Sequence, residues 1–260
     1  MNTEPDLQRS ARLALACLDL TSLNDADTEA DVVGLCERAQ GPFGPVAAVC
    51  VWPRFAARAR RELPAGIAVA AVANFPDGSA DIARAVSDTR AIVDAGAQEV
   101  DVVLPFARLQ QGDERVVAAL LLAVRAACPG LALKVILETG VLVDDAPIAR
   151  AAQLSLDAGA DFLKTSTGKM PINATPQAAR VMLATIVADP RAAGRVGFKA
   201  SGGIRTVADA ALYLRLCEQA LGRDALRPAR FRIGASSLLN DIEAVLGGTP
   251  AAPPAAPGTS

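Results

Sequence analysis

Short runs rich in valine, isoleucine and alanine occupy residues 13–21, 47–53, 67–76, 99–105, 132–139, 162–167, 196–203 and 231–237. They alternate with longer segments in which apolar residues recur at helical spacing, at 28–40, 54–63, 79–95, 113–127, 144–158, 175–188, 206–221 and 238–246. Asp144, Thr175 and Thr206 stand at helix starts as capping residues. The repeated Asp-Ala-Gly-Ala at 94–97 and 157–160 reads as a helix stop leading into the next strand. Successive strand starts lie 20 to 35 residues apart, the length of one strand, one helix and two loops. Eight such units predict an α/β protein with a single-domain (β/α)8 TIM barrel over residues 1–246. No Gly-x-Gly-x-x-Gly follows the first run, which argues against a doubly wound dinucleotide fold. Residues 247–260, rich in proline and alanine, predict a disordered tail.

Composition adds exclusions. Hydrophobic residues make up 52% and charged residues 21%, enough apolar side chain for a large core, and the formal charge of −2 gives no general attraction to nucleic acid or anionic lipid. The longest apolar run, residues 116–124, is far short of the roughly 18 to 20 needed to cross a bilayer, so no membrane span is expected. Residues 1–10 are polar and acidic where a secretory signal would be basic and then apolar, which points to the cytoplasm. The cysteines Cys17, Cys36, Cys50, Cys128 and Cys217 are odd in number and lack a paired spacing, so they read as buried small hydrophobes, with Cys50 near a strand end placed to face a cavity.

Histidine is absent, which removes Ser-His-Asp and Cys-His nucleophile systems and leaves a zinc or iron catalytic site hard to build. Of 26 basic residues only Lys134, Lys164, Lys169 and Lys199 are lysines. A drift toward arginine spares lysine where an amine is required, because a guanidinium neither loses its proton nor forms an imine. Strand alternation sets Val100 and Val102 on one face and Asp101 and Val103 on the other, and opposes Val196 and Phe198 to Gly197, Lys199 and Ser201. With the apolar faces turned to the helices, Asp101, Lys199, Lys164 and Lys134 with Glu138 are predicted to point into the barrel. Such charges are costly to bury unless paired, so the alternatives are a structural ion network and covalent amine catalysis. In the second, one lysine attacks a carbonyl as free amine while a neighbouring ammonium depresses its pKa, and a carboxylate such as Asp101 moves protons. Lys164 and Lys199 suit that pair, and spacing does not choose between them as nucleophile.

Ser201-Gly202-Gly203 and Gly234-Ala235-Ser236-Ser237 follow the seventh and eighth strands, each just before a helix, with Gly168 and Lys169 after the sixth. Backbone amides, hydroxyls and helix N-termini at these strand ends predict a phosphate site.

These residues, with Asp19-Leu20-Thr21, Asn74-Phe75-Pro76, Glu99-Val100-Asp101 and Lys164-Thr165-Ser166-Thr167-Gly168-Lys169, resemble the deoxyribose-phosphate aldolases, class I enzymes of the DeoC type, from about Leu13 to Leu246. The resemblance implies reversible cleavage of 2-deoxy-D-ribose 5-phosphate to D-glyceraldehyde 3-phosphate and acetaldehyde, without cofactor or metal. It implies Lys164 as the Schiff-base lysine, Lys199 as its tuning neighbour and Asp101 as proton carrier. Gly168, Lys169, Gly202, Gly203, Gly234, Ser236 and Ser237 would hold the phosphate, and Asp19, Thr165 and Lys134 would line the pocket. The implied partners are a phosphorylated sugar and aldehydes, and further copies of the chain in a dimer or tetramer. Some members end in a tyrosine that assists proton transfer, whereas this sequence ends Thr259-Ser260 and its one tyrosine, Tyr213, falls in a predicted helix. Another Schiff-base sugar-phosphate aldolase or transaldolase, and a catalytically silent phospho-sugar binder, are the alternatives.

Overall fold

The computed structural model describes residues 4–248. Eight parallel strands, β1 (Leu18–Thr21), β2 (Ala48–Val51), β3 (Ala68–Ala73), β4 (Glu99–Val103), β5 (Ala132–Ile136), β6 (Phe162–Lys164), β7 (Gly197–Ser201) and β8 (Phe231–Ala235), pair in chain order. β8 closes back on β1, with Asp19 beside Gly234. The protein is thus a single-domain (β/α)8 barrel. Each strand is buried on both faces, as a parallel sheet inside a ring of helices must be, and this explains why the strands read as continuous apolar runs rather than strict alternation. Several helices are capped by local side chains, Thr175 and Thr206 among them, whereas Asp144 stands at the cap position of the helix Asp145–Asp157 without a side-chain bond. Thr28 and Thr206 each accept from the third helical amide while Asp31 and Asp209 reach back to the cap amide, satisfying donors that a helix start otherwise leaves bare.

The first strand is shorter than the sequence predicts. Residues 13–16 belong instead to a helix, Glu4–Ala16, whose Ala11, Ala14 and Leu15 are buried against the helices Val207–Leu221 and Leu238–Leu246. Their three- and four-residue spacing is helical, and tertiary packing on those neighbours overrides the β-like run of apolar residues. β6 ends at Lys164 rather than residue 167 and β5 at Ile136 rather than 139, because both chains turn away at the barrel mouth. Two short helices there, Phe106–Gln110 and Thr139–Leu142, carry too few residues to show a period in sequence. The last helix ends at Leu246, with Gly247 as its C-cap; of the predicted tail, residues 249–260 lie outside the described residues.

The lower interior is packed tightly around one glycine. Gly197 sits beside Phe162 in register, and a Cβ there would stand 2.3 Å from the Phe162 ring and 2.8 Å from the Arg230 carbonyl oxygen. The ring in turn lies under the Arg232 guanidinium at 5.7 Å. Gly197→Ala is expected to destabilise the fold by about 1–3 kcal/mol through overpacking. The midpoint of thermal unfolding should fall by several degrees, and an unchanged midpoint would mean that the Phe162 ring has slack to move.

Candidate active site

The barrel interior holds seven charged side chains. Lys134 Nζ donates to Glu99 Oε2 (2.5 Å) and Asp101 Oδ1 (2.8 Å) and lies 3.6 Å from Asp19 Oδ2. Lys199 Nζ donates to Asp19 Oδ2 (2.5 Å) and Asp101 Oδ2 (2.7 Å). Arg232 bridges Asp19 Oδ1 (2.5 Å) and Glu99 Oε1 (2.6 Å). Lys164, directly beside Lys199 in strand register, donates to Asp101 Oδ2 at 2.8 Å. Four cations, Lys134, Lys164, Lys199 and Arg232, therefore face three carboxylates, Asp19, Glu99 and Asp101. Among the described residues Lys164 makes one ion pair and the other three cations at least two each. One positive charge is in excess, and it falls on the least supported cation.

The titration of the groups follows this geometry. Burial drives Lys164 below the ordinary lysine value, Lys199 adds to the effect, and Asp101 opposes it without reversing it. Burial pulls on Lys199 as well, but Asp101 and Asp19 overcome it and hold that lysine above its ordinary value. Lys134 is likewise held up against burial by Asp101 and Glu99. For Asp101, burial is overcome by Lys134, Lys164 and Lys199, which keep it well below the usual carboxylate range; Asp19 is lowered by Lys199 and Arg232 in the same way. Two adjacent amines thus differ: Lys164 gives up its proton more readily than an ordinary lysine, and Lys199 holds its proton more firmly.

Above this layer, at the C-terminal ends of the strands, a cavity of about 280 Å³ opens among the loops after β1, β6, β7 and β8. Its lining includes Gly168, Lys169, Gly202, Gly203, Gly234, Ser236 and Ser237. Gly202 has φ 84° and its missing Cβ would stand 2.7 Å from Asn173, so the backbone there approaches closely where a side chain could not. Gly234 makes room inside the barrel, since a Cβ would meet Ser201 Oγ at 2.7 Å and Lys199 Cε at 3.0 Å. Lys169 Nζ spans the mouth to the Leu23 carbonyl oxygen at 2.7 Å. The two helix starts differ in availability. That of Val207–Leu221 is occupied by Thr206 and by Asp241, whose Oδ2 accepts from Val207 N at 2.6 Å. That of Leu238–Leu246 has no side-chain cap: Ser237 lines the cavity, and Asn240 N donates to the Ser237 carbonyl oxygen at 3.1 Å.

Of the pocket residues read from the sequence, Asp19 and Lys134 lie inside the ion network, fully buried. Thr165 is a buried tie whose hydroxyl donates to the Ser201 carbonyl oxygen and accepts from Ser201 N. Glu138 does not join the lysines as the alternation suggests: its carboxylate turns to Thr167 at the barrel rim. Cys50 does face the interior, with Sγ 4.0 Å from Asp101 Oδ2, and burial pushes its thiol up. Glu99 and Arg232 complete the network, a role that no sequence motif assigns them, although each lies two residues before an inward-facing position, Asp101 and Gly234. Asn74, after β3, donates to the Val103 and Ser79 carbonyl oxygens and fixes the turn above β4. Tyr213 is buried in the helix Val207–Leu221, where burial pushes it to about 12. Among the described residues no group of three or more cysteine, aspartate or glutamate side chains is arranged to hold a metal ion, and no helix is long and apolar enough to cross a membrane.

A closed barrel with buried amines under a polar cavity at the C-terminal strand ends is laid out as barrel enzymes are. The family described as DeoC/LacD family aldolase matches residues 13–244. The chain belongs to this family and is an aldolase. A structure from Coccidioides immitis, provisionally named a deoxyribose-phosphate aldolase, is 31% identical over 89% of this chain and 85% of its own, with a TM-score of 0.77. The deoxyribose phosphate aldolase of Aeropyrum pernix, which is tetrameric, is 28% identical over 93% and 97%, with a TM-score of 0.69. A protein from Toxoplasma gondii ME49 shares the fold at 24% identity over 95% and 98%, with a TM-score of 0.85.

Proposed function

We propose that the chain is a class I aldolase that reversibly cleaves 2-deoxy-D-ribose 5-phosphate to D-glyceraldehyde 3-phosphate and acetaldehyde, with Lys164 as the Schiff-base lysine. The observation that carries this reading is the unequal pairing of two adjacent amines on one carboxylate oxygen: among the described residues Lys164 meets Asp101 alone, whereas Lys199 meets both Asp101 and Asp19, which favours the neutral form of the first and the charged form of the second. The free amine of Lys164 adds to the C1 aldehyde, and the carbinolamine loses water to give an iminium. Loss of the C3 hydroxyl proton breaks the C2–C3 bond, and its electron pair moves into the iminium to form an enamine as glyceraldehyde 3-phosphate departs. Protonation at C2 and hydrolysis then release acetaldehyde and restore the amine. Lys199 and Asp101, hydrogen-bonded to each other and next to Lys164, are the groups within reach for these proton movements. The helix start at Leu238, which no side chain caps, the hydroxyls of Ser236 and Ser237 and the backbone at Gly202 and Gly203 suit the phosphate end.

Borohydride reduction of the protein with deoxyribose 5-phosphate, followed by peptide mapping, tests the assignment. A reduced adduct on Lys164 alone is expected. An adduct on Lys199 would reverse the two roles, and no adduct despite ligand binding would favour a silent binder. Turnover with dihydroxyacetone phosphate as donor in place of acetaldehyde would move the activity to another sugar-phosphate aldolase.

A further inference from the structure

The segment after β5 has an unusual backbone. Leu137 N donates to the Lys164 carbonyl oxygen (2.9 Å), and the chain then turns through Glu138 at φ 56°, ψ 58°. It makes the one-turn helix Thr139–Leu142 and leaves through Val143 at φ 59°, ψ −58°. Neither residue is a glycine, and one is β-branched, so both conformations persist only because surrounding contacts demand them. Gln110 Nε2, from the helix Phe106–Gln110, donates to the Val141 carbonyl oxygen at 3.0 Å, and the contacts of Glu138, Thr139 and Gly140 fall on the loop after β6. Thr139 N donates to the Thr165 carbonyl oxygen at 3.0 Å. The buried Glu138 carboxylate accepts from Thr167 Oγ1 at 2.5 Å and from Thr167 N at 3.3 Å. Gly140 lies so close to the loop that a Cβ would stand 1.9 Å from the Ile172 carbonyl oxygen. The contacts continue across the cavity: Lys169 N donates to Thr167 Oγ1 at 3.1 Å, and Lys169 Nζ reaches the Leu23 carbonyl oxygen.

We infer that Glu138, backed by the one-turn helix, is a positioning residue that sets the β6 loop, and with it Gly168 and Lys169, for the phosphate end of the substrate. The inference rests on the proposed function for the identity of the substrate, and on geometry for the loop. Glu138 acts through Thr167 and not on the reacting carbon. A carboxylate suits the role because it only accepts, and so can take both the amide and the hydroxyl of Thr167. Gly140 serves the same end by letting the helix and loop backbones touch.

The test uses Glu138→Ala, Glu138→Gln and Gly140→Ala in the full chain, with deoxyribose 5-phosphate, unphosphorylated deoxyribose, and inorganic phosphate as a binding probe. Glu138→Ala and Gly140→Ala should raise KM for the phosphorylated sugar about tenfold or more, as misplacement of a binding group does. Their kcat, their KM for unphosphorylated deoxyribose and borohydride trapping of acetaldehyde on Lys164 should stay near wild type. Glu138→Gln, whose amide oxygen can still accept, should recover most of the loss. Calorimetric affinity for inorganic phosphate should weaken in parallel with KM. Equal losses with both sugars, or a fall in kcat at unchanged KM, would overturn the inference. Should Glu138→Ala not fold, Gly140→Ala and Glu138→Gln still decide the question. A wild-type chain that binds inorganic phosphate without cleaving deoxyribose 5-phosphate, and whose variants lose that binding, would sink the assigned substrate and leave the positioning role standing.

Discussion

Replacing Lys164 by methionine is expected to lower aldol cleavage by about 10⁴-fold or more, as loss of a covalent nucleophile does, while leaving the protein as stable as wild type or more so. The second half of that expectation comes from the charge balance. With Lys164 charged, four cations face three carboxylates; without it, Lys134, Lys199 and Arg232 balance Asp19, Glu99 and Asp101 one for one. Burial already drives the Lys164 amine toward its neutral form, so a neutral side chain of similar length removes a liability from the folded state. Lys199→Met should behave in the opposite way. It strips a firmly held ammonium from both Asp19 and Asp101, and removing one partner from a buried pair costs about 3–5 kcal/mol. The pair of variants separates chemistry from architecture: loss of activity at constant melting midpoint for Lys164→Met, and loss of midpoint for Lys199→Met. Cleavage by Lys164→Met within about 10²-fold of wild type would remove Lys164 from its proposed role, and equal destabilisation by the two variants would overturn the charge-balance argument.

The barrel is legible because eight apolar runs and eight helical periods alternate over nearly the whole chain, and a long, repeated signal survives errors in any one element. The error at β1 shows where it weakens. Residues 13–16 are apolar enough for a strand, and only the partners they meet, the helices Val207–Leu221 and Leu238–Leu246, make them the end of a helix. Inside the barrel, period-two alternation correctly brings Asp101, Lys134, Lys164 and Lys199 together. The same rule puts Glu99 and Arg232 on the inner face, but charges at strand starts ordinarily meet solvent, so their side chains give no reason to expect burial. Alternation fails for Glu138 because it lies past the end of β5, where a positive φ turns the chain out of the pleat. The choice between Lys164 and Lys199 is invisible in sequence. It depends on how many carboxylate oxygens reach each amine, and those oxygens come from β1 and β4, far away along the chain.

Asp101→Asn should cost both stability and turnover, while adduct formation on Lys164 should persist. Asp101 is the carboxylate on which three ammonium groups converge, Lys134 on Oδ1 and Lys164 and Lys199 on Oδ2. An amide there takes away the negative charge and turns an N–H donor toward cations, leaving buried charge uncompensated at about 3–5 kcal/mol. The thermal midpoint should fall by roughly 6–20 °C at about 2–4 °C per kcal/mol for a chain of this size. The pH dependence of stability should change with it. A carboxylate held below its unfolded value contributes stability fully present above about pH 4, and lost as pH falls through the depressed folded value. Asp101 and Asp19 both do so in the wild type, so its stability should decline below about pH 4, and Asp101→Asn should show a shallower decline because one of the two groups is gone. Cleavage should fall about 10²–10⁴-fold with the loss of a proton-carrying group. Adduct formation should not fall in step. Asp101 is the neighbour that raises the Lys164 amine, so removing it lets burial and Lys199 lower that amine further, and borohydride trapping of acetaldehyde should extend to lower pH than in wild type. A variant that traps and cleaves with the wild-type pH profile would mean that Asp101 neither holds Lys164 nor moves protons for it.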